Sequence, residues 1–373
     1  MATVTEQIEH QQMMKSIIAR VATGPHLSKD ISFEDARAGM RGVLSGDISS
    51  VQAGIFLIAL RMKRETMEEN AGILQGIIDV IQPITAEVDE LLDIADPYDG
   101  WNRGLPVSAF LPAVMAACGM PSLSHGLKTV GPKYGATHHR VLREAGKRVD
   151  LAPKQAADQL ANADIGWSYL DQSVFCPILH DLIGFRTEII KRTVITTVEV
   201  LVGPIRARQA THAMTGYVHK AYPPLYADLA RQAGFDSAMI IKGVEGSVVP
   251  SLTQPAKLFH YYARGDEQEV LLDPAELNID QPERCVPLPE GVEKTKGGGA
   301  SNAEDVAVIV QHAAKAGLAA LQGEKGPAYD SLVYSGAVAW QHLKQLPTLA
   351  EAAEHVKACI DSGAALAKFE AAA

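Results

Sequence analysis

Hydrophobic positions follow two different rhythms along this chain. Up to Pro83 they recur at helical spacing. Ser32 to Asp35 has the spacing of a capping box ahead of Ala36, Met40, Val43 and Leu44, and Thr66 to Glu69 repeats it ahead of Ile73, Leu74, Ile77 and Ile78. Between them Val51 to Leu60 is apolar on nearly every face, so this helix is expected to be buried or shared with a partner. From Leu91 the rhythm changes: Leu91 to Ala95 reads as a strand, Pro106 to Cys118 as a helix, Pro121 to Ser124 as a second strand and Ala136 to Ala145 as another helix. Leu225 to Ala233 and then Ala238 to Lys242 repeat the alternation, which predicts a parallel sheet covered by helices. Residues 280–300, rich in Pro and Gly, read as an ordered crossing or a mobile loop, and Ser301 and Thr348 each stand three residues before a Glu as helix caps.

Composition adds bounds. With 373 residues, 47% hydrophobic and 21% charged, the chain has room for about two globular domains and is neither disordered nor coiled coil. Its longest uncharged stretch, Gly104 to Leu127, could span a membrane by length but carries Pro106, Pro112, Pro121 and His125, so it reads as a buried helix and strand, with no membrane partner expected. Four dispersed cysteines without a companion histidine at zinc spacing, and a polar N-terminus where a signal peptide would be apolar, predict a reducing, cytoplasmic setting.

Charge changes the picture more. A net charge of −10 argues against a wholesale polyanion-binding surface, yet Ser124 to Lys220 holds 13 Lys and Arg against 8 Asp and Glu. The densest basic run, His138, His139, Arg140, Arg143, Lys147 and Arg148, reads either as a solvated helix face or as a phosphate-tracking surface. Gly297 to Gly299, after Lys294 and Lys296, reads as a flexible linker or as backbone N–H groups offered to an anion.

The segment Leu44 to Thr66 (LSGDISSVQAGIFLIALRMKRET) resembles the helical domain of the anthranilate phosphoribosyltransferase family, and the likeness continues through Ser124 to Gly126, Arg186, Arg192-Thr193, Lys242 to Gly246, Gly299 to Ala303 and Gly323 to Asp330. The resemblance implies an α/β fold: a small all-helical N-terminal domain, which usually forms a homodimer interface, and a large α/β domain with a mostly parallel central sheet. It places the helical domain at 1–87, with 183–204 returning to it, and the α/β domain at 88–182 and 205–373.

Where the family has a G-T-G-G-D loop that cradles pyrophosphate, this chain has Ala95, Asp96, Pro97, Tyr98 and Asp99. Pro97 offers no N–H, Tyr98 adds bulk, and Asp96 is expected to set a like charge beside phosphate. The family's K-H-G-N-R element appears as Ser124, His125, Gly126, Leu127 and Lys128. Its metal carboxylates fall at Val248 and Val249, so Mg²⁺ at that position, and any other cofactor, is not expected; nearby Glu245 reads as solvent-facing. Arg186 matches an arginine that meets the acceptor's carboxylate, and Cys176 stands where the acceptor site has a histidine.

Together these readings give Asp99, Asn102, Ser108, His125, Gly126, Lys128, Arg140, Arg143, Arg186, Arg192 and Thr193 as candidate ligand- and phosphate-binding residues, with no catalytic residue assigned. The function expected is binding of phosphate-bearing ligands or single-stranded nucleic acid by a homodimer, as in the nucleic-acid-binding branch that this chain resembles. The alternative is an active glycosyl- or phosphoribosyltransferase.

Overall fold

The computed structural model describes residues 4–24, 26–295 and 299–373; the candidate anion loop at Lys296, Gly297 and Gly298 lies outside the described residues. The helical layer begins with α1 (Val4–Val21), α2 (Phe33–Ser45), α3 (Ser50–Lys63) and α4 (Met67–Ile81). Ser32 caps α2 by accepting the N–H of Asp35, and Thr66 with Glu69 completes a reciprocal box on α4. Glu69 is fully buried and its carboxylate also takes the N–H of Ile31 (2.9 Å) and the ammonium of Lys63 (2.7 Å), which ties the loop before α2 to the head of α4. A Cβ at Gly72 would stand 2.3 Å from the Phe33 carbonyl oxygen, so this glycine is what lets α2 and α4 cross so closely.

Helix α3 buries Ala53, Phe56, Leu57 and Leu60 within its own layer but leaves Val51 70%, Ile55 42% and Met62 78% exposed. The all-round apolar pattern is thus resolved into a buried face and an exposed one.

Among the described residues the strands are β1 (Ile84–Thr85), β2 (Glu90–Ala95), β3 (Ser122–Gly126), β4 (Trp167–Asp171), β5 (Ile205–Arg206), β6 (Ala210–Gly216), β7 (Ser237–Ile241), β8 (Ala256–Tyr261) and β9 (Gln268–Leu272). The short pair β1-β5 is parallel, and the main sheet runs β4-β3-β2-β6-β7-β8-β9, parallel through β7 and antiparallel beyond. Its central strands are buried on both faces, as helix-covered parallel strands must be. One face packs on helices Ala303–Leu321, Pro327–Lys344 and Leu349–Asp361; the other faces the N-terminal helices. Between β4 and β5 the chain leaves the sheet as short helices, of which Val194–Val198 packs on α3 and α4.

Some boundaries differ from expectation. Pro112 has no N–H to continue a ladder and sits in the first turn of Leu111–Ala117, so the segment from Val107 to Phe110 is a 3-10 turn. Asn302, rather than Ser301, caps the helix Ala303–Leu321 by accepting the Glu304 N–H (2.9 Å), while the Ser301 hydroxyl accepts from Asn102 Nδ2 (3.2 Å). The stretch 280–295 is an ordered crossing: Val286 accepts the N–H of Leu105 at 3.0 Å and Arg284 that of Leu252 at 3.0 Å. Among the described residues no helix is long and apolar enough to cross a membrane.

Candidate ligand-binding cleft

Strand β2 ends at Ala95, and the next residues decide the chemistry. Asp96 turns into the protein, where one carboxylate oxygen accepts from Trp101 Nε1 (3.0 Å) and Ser108 Oγ (2.7 Å) and meets His138 Nε2 (3.0 Å), while the other accepts the Val248 N–H (2.9 Å). Burial opposes its charge, but His138, Ser108 and the Val248 N–H outweigh it and hold the carboxyl below the usual range. The expectation of a like charge against phosphate is therefore corrected: Asp96 is an internal anchor, and Ser108 and His138 are engaged with it.

Tyr98 occupies the turn. Its hydroxyl lies 2.5 Å from His125 Nδ1, and His125 Nε2 lies 2.8 Å from Asp93 Oδ1, all three side chains buried. Burial pushes the Tyr98 phenol well above its ordinary pKa, so it stays a neutral donor. The gap left among Pro97, Tyr98, His125, Gly126 and His138 is about 10 Å³, room for one water at most. His125 and Gly126 therefore lie behind a plug.

Strand order reverses between β2 and β6, and in open α/β sheets the crevice at such a switch point, beyond the strands' carboxyl ends, is where ligands bind. A cleft of about 410 Å³ opens there. Its floor is Pro97 to Asp99 after β2, Thr215 to His219 at the end of β6, and Glu245 and Gly246 after β7; its roof is Arg61 of α3 with Thr193, Thr196, Thr197, Tyr222 and Tyr226. Four cations, Arg61, Arg103, Lys133 and Arg192, face two carboxylates, Asp99 and Glu245.

Glu245 corrects a second expectation. Its side chain is only 4% exposed, because the carboxylate accepts the backbone N–H groups of Asn102 (3.2 Å) and Arg103 (2.8 Å). The Lys133 ammonium lies between the two acids, 3.5 Å from Asp99 Oδ1 and 3.3 Å from Glu245 Oε2, and Arg192 reaches Asp99 Oδ2 at 2.5 Å. Arg61 donates to the Tyr222 hydroxyl at 3.0 Å. Thr193 Oγ1 is buried with no hydrogen-bond partner among the described residues.

Of the candidate residues, Asp99, Arg192 and Thr193 line the cleft and Asn102 stands behind Glu245. Arg186 does not line the cleft: it is buried in a two-pronged pair with Glu199 at 2.7 and 2.8 Å. Lys128 and Arg143 are exposed but border no part of the cleft, and burial lowers the half-buried Arg140 guanidinium. The basic run does not form one surface. His139 pairs with Asp171 (2.6 Å), Lys147 holds the carbonyls of Glu370 and Ala372, and Arg148 pairs with Asp150 (3.1 Å).

A glycosyl transferase family matches in both parts, its helical bundle domain over residues 15–80 and its a/b domain over residues 100–286. The chain belongs to this family. Its curated relatives include an anthranilate phosphoribosyltransferase of Thermomicrobium roseum, 27% identical over 364 residues that cover 96% of this chain and 95% of that one. Another, from Sphingopyxis alaskensis, is 27% identical over 93% of this chain and 97% of its own. Among solved structures, the enzyme from Thermus thermophilus superposes with a TM-score of 0.72 at 21% identity, covering 96% of this chain and 97% of that one. That of Saccharomyces cerevisiae in complex with PRPP and Mg gives 0.72 at 17% identity, covering 96% of each.

Within this family frame, the positions that the sequence resemblance sets against metal carboxylates are Val248 and Val249. Both are buried and apolar, and the Val248 N–H is bound to Asp96. A hard cation needs oxygen ligands, so these residues do not fit Mg²⁺.

Proposed function

We propose that this member of the anthranilate phosphoribosyltransferase-like glycosyl transferases binds phosphate-bearing ligands in the cleft between its helical layer and its sheet, single-stranded nucleic acid being the favoured class, rather than carrying out ordinary anthranilate transfer. The observation that carries this reading is the contrast between two spaces. The gap behind Tyr98 is about 10 Å³, while the cleft of about 410 Å³ keeps four cations and the half-buried Tyr222, with Tyr217 and Tyr226 buried in its wall. Cations hold a phosphate backbone and aromatic faces stack bases with little regard to sequence.

A second reading, retained transferase activity, draws on the curated relatives that match over nearly the whole chain. Transfer would leave pyrophosphate charge in a site where Val248 and Val249 supply no metal ligand, a deficit of several kcal/mol. The test is a transfer assay with anthranilate, phosphoribosyl pyrophosphate and Mg²⁺. Turnover far below about 1 s⁻¹, the low end for ordinary enzymes, is expected; turnover at that rate or above would favour the second reading.

The same proposal includes a homodimer and a cytoplasmic setting. Val51, Ile55 and Met62 form one exposed apolar face of α3, the kind of surface a second copy covers in a symmetric pair. Free Cys118, Cys176, Cys285 and Cys359 suit a reducing compartment.

A further inference from the structure

The face of the sheet away from the helical layer carries a side-chain group that the cleft does not use. Cys118 ends the helix Leu111–Ala117, and His355 and Cys359 stand four residues apart on one face of the helix Leu349–Asp361. Reading cysteine spacing along the chain passes over this group, since Cys118 is distant in sequence and the His-to-Cys step is a helical one. Helix packing brings one ligand atom from each, the two Sγ and a ring nitrogen of His355, within 4.8 Å of one another.

We propose that Cys118, His355 and Cys359 form a site for a borderline-soft divalent cation of the zinc type. Bond lengths to tetrahedral zinc require sulfur atoms about 3.8 Å apart and nitrogen about 3.6 Å from sulfur. Here His355 Nε2 lies 3.8 Å from Cys359 Sγ, so this pair is already at that spacing. The ring is held in place: Trp340 stacks on it with centroids 4.6 Å apart and planes 11° from parallel. Nε2 also lies 3.5 Å from the Cys118 carbonyl, a long contact that sets the ring against the cysteine end of the neighbouring helix and that Nε2, which must be unprotonated to ligate, gives up when the ion binds.

Ligand type separates this site from a hard-ion site, because two thiolates and an imidazole suit zinc and not magnesium. His355 is exposed and Cys359 half-exposed, which leaves the fourth position open to water and gives the ion a path in. Cys118 lies four residues before β3, at the end of the sheet opposite the cleft, so the site ties two helices of the C-terminal layer rather than serving the ligand.

Cobalt(II), added to the reduced full-length protein, reports on the site directly. One equivalent per chain is expected, with thiolate charge-transfer absorption and the visible bands of a tetrahedral ion, and zinc should displace it. Both signals should vanish in Cys359→Ser and in His355→Ala, whose side chains are exposed enough that folding persists, as circular dichroism would verify. Zinc should raise the melting temperature of the wild type and leave both variants unchanged. Absence of thiolate charge transfer, equal binding by the variants, or a Cys118–Cys359 disulfide persisting under reductant would each overturn the proposal.

Discussion

Replacing Lys133 by methionine removes the cation held between Asp99 and Glu245 while keeping most of its bulk. At 3.5 and 3.3 Å, each attraction is on the order of 5 kcal/mol with an effective dielectric near 20, and desolvation of the ammonium offsets much of it. Breaking a buried pair from one side costs about 3–5 kcal/mol. Here Asp99 keeps Arg192 and Glu245 keeps the N–H groups of Asn102 and Arg103, so a loss of about 2–4 kcal/mol is expected. If the chain unfolds as one unit, its size converts this to a fall in melting temperature of about 3–5 °C. The vacated space leaves two carboxylates facing each other, so millimolar Mg²⁺ should restore part of the loss in Lys133→Met and do nothing for the wild type. Scanning calorimetry with and without Mg²⁺ makes the comparison. An unchanged melting temperature together with no Mg²⁺ response would refute the claim that Lys133 is the cleft's internal cation.

Tyr98→Phe deletes the hydroxyl beside His125 and leaves Nδ1 buried without its partner, so a destabilisation of about 1–3 kcal/mol is expected in urea titrations; a midpoint equal to wild type would mean the hydrogen bond contributes nothing. Burial, then His260 and His212, pushes His342 down to about 3, and burial lowers His212 and His260 as well. These rings meet Ser237 at 2.7 Å from His212 and 2.9 Å from His342, with His260 3.2 Å from His342 and the charges of Glu90 and Asp236 opposed by that of Lys344 at His212. The folded His342 ring stays neutral while the unfolded chain takes up a proton there near pH 6.5, so stability is full above that pH and falls below it by up to about 1.4 kcal/mol per pH unit from His342, with His212 and His260 adding in the same direction. Equal urea midpoints at pH 7.5 and 5.5 would contradict this. Ile55→Glu should shift the protein to monomer in light scattering with its fold intact, whereas Leu57, buried within its own layer, would report folding instead; a wild-type monomer, or a variant dimer as tight as the wild type, would remove the α3 interface.

The helical starts were legible because caps are local: Ser32, Thr66 and Thr348 each satisfy an N–H within three residues. The parallel sheet was legible through apolar strands alternating with helices. The cleft was less so, because its walls come from segments far apart in the chain. Arg61 lies inside the stretch that carries the resemblance, yet only packing shows it meeting Tyr222, and Lys133 and Arg103 carry no local signature. Asp96 and Asp99 look alike as residues after a strand, but the first faces His138 and the second Arg192. Arg186 could be matched to a ligand-binding arginine, but the buried Glu199 that takes both its prongs lies on a separate short helical turn. Helical rotation separates the basic run: His138 faces inward with Val141 and Leu142, and Arg143 outward.

The central claim is that the cleft's own cations hold a phosphate-bearing chain. Fluorescence anisotropy with a labelled single-stranded oligonucleotide, at low and near-physiological salt, compares the wild type with the double variant Arg61→Ala, Arg192→Ala. The account predicts binding that falls steeply with salt and varies little with sequence. The double variant should bind more weakly, its log–log salt slope flatter by about 0.7 for each phosphate that it no longer neutralises. No binding by the wild type at low salt, or a double variant with unchanged affinity and slope, would contradict it.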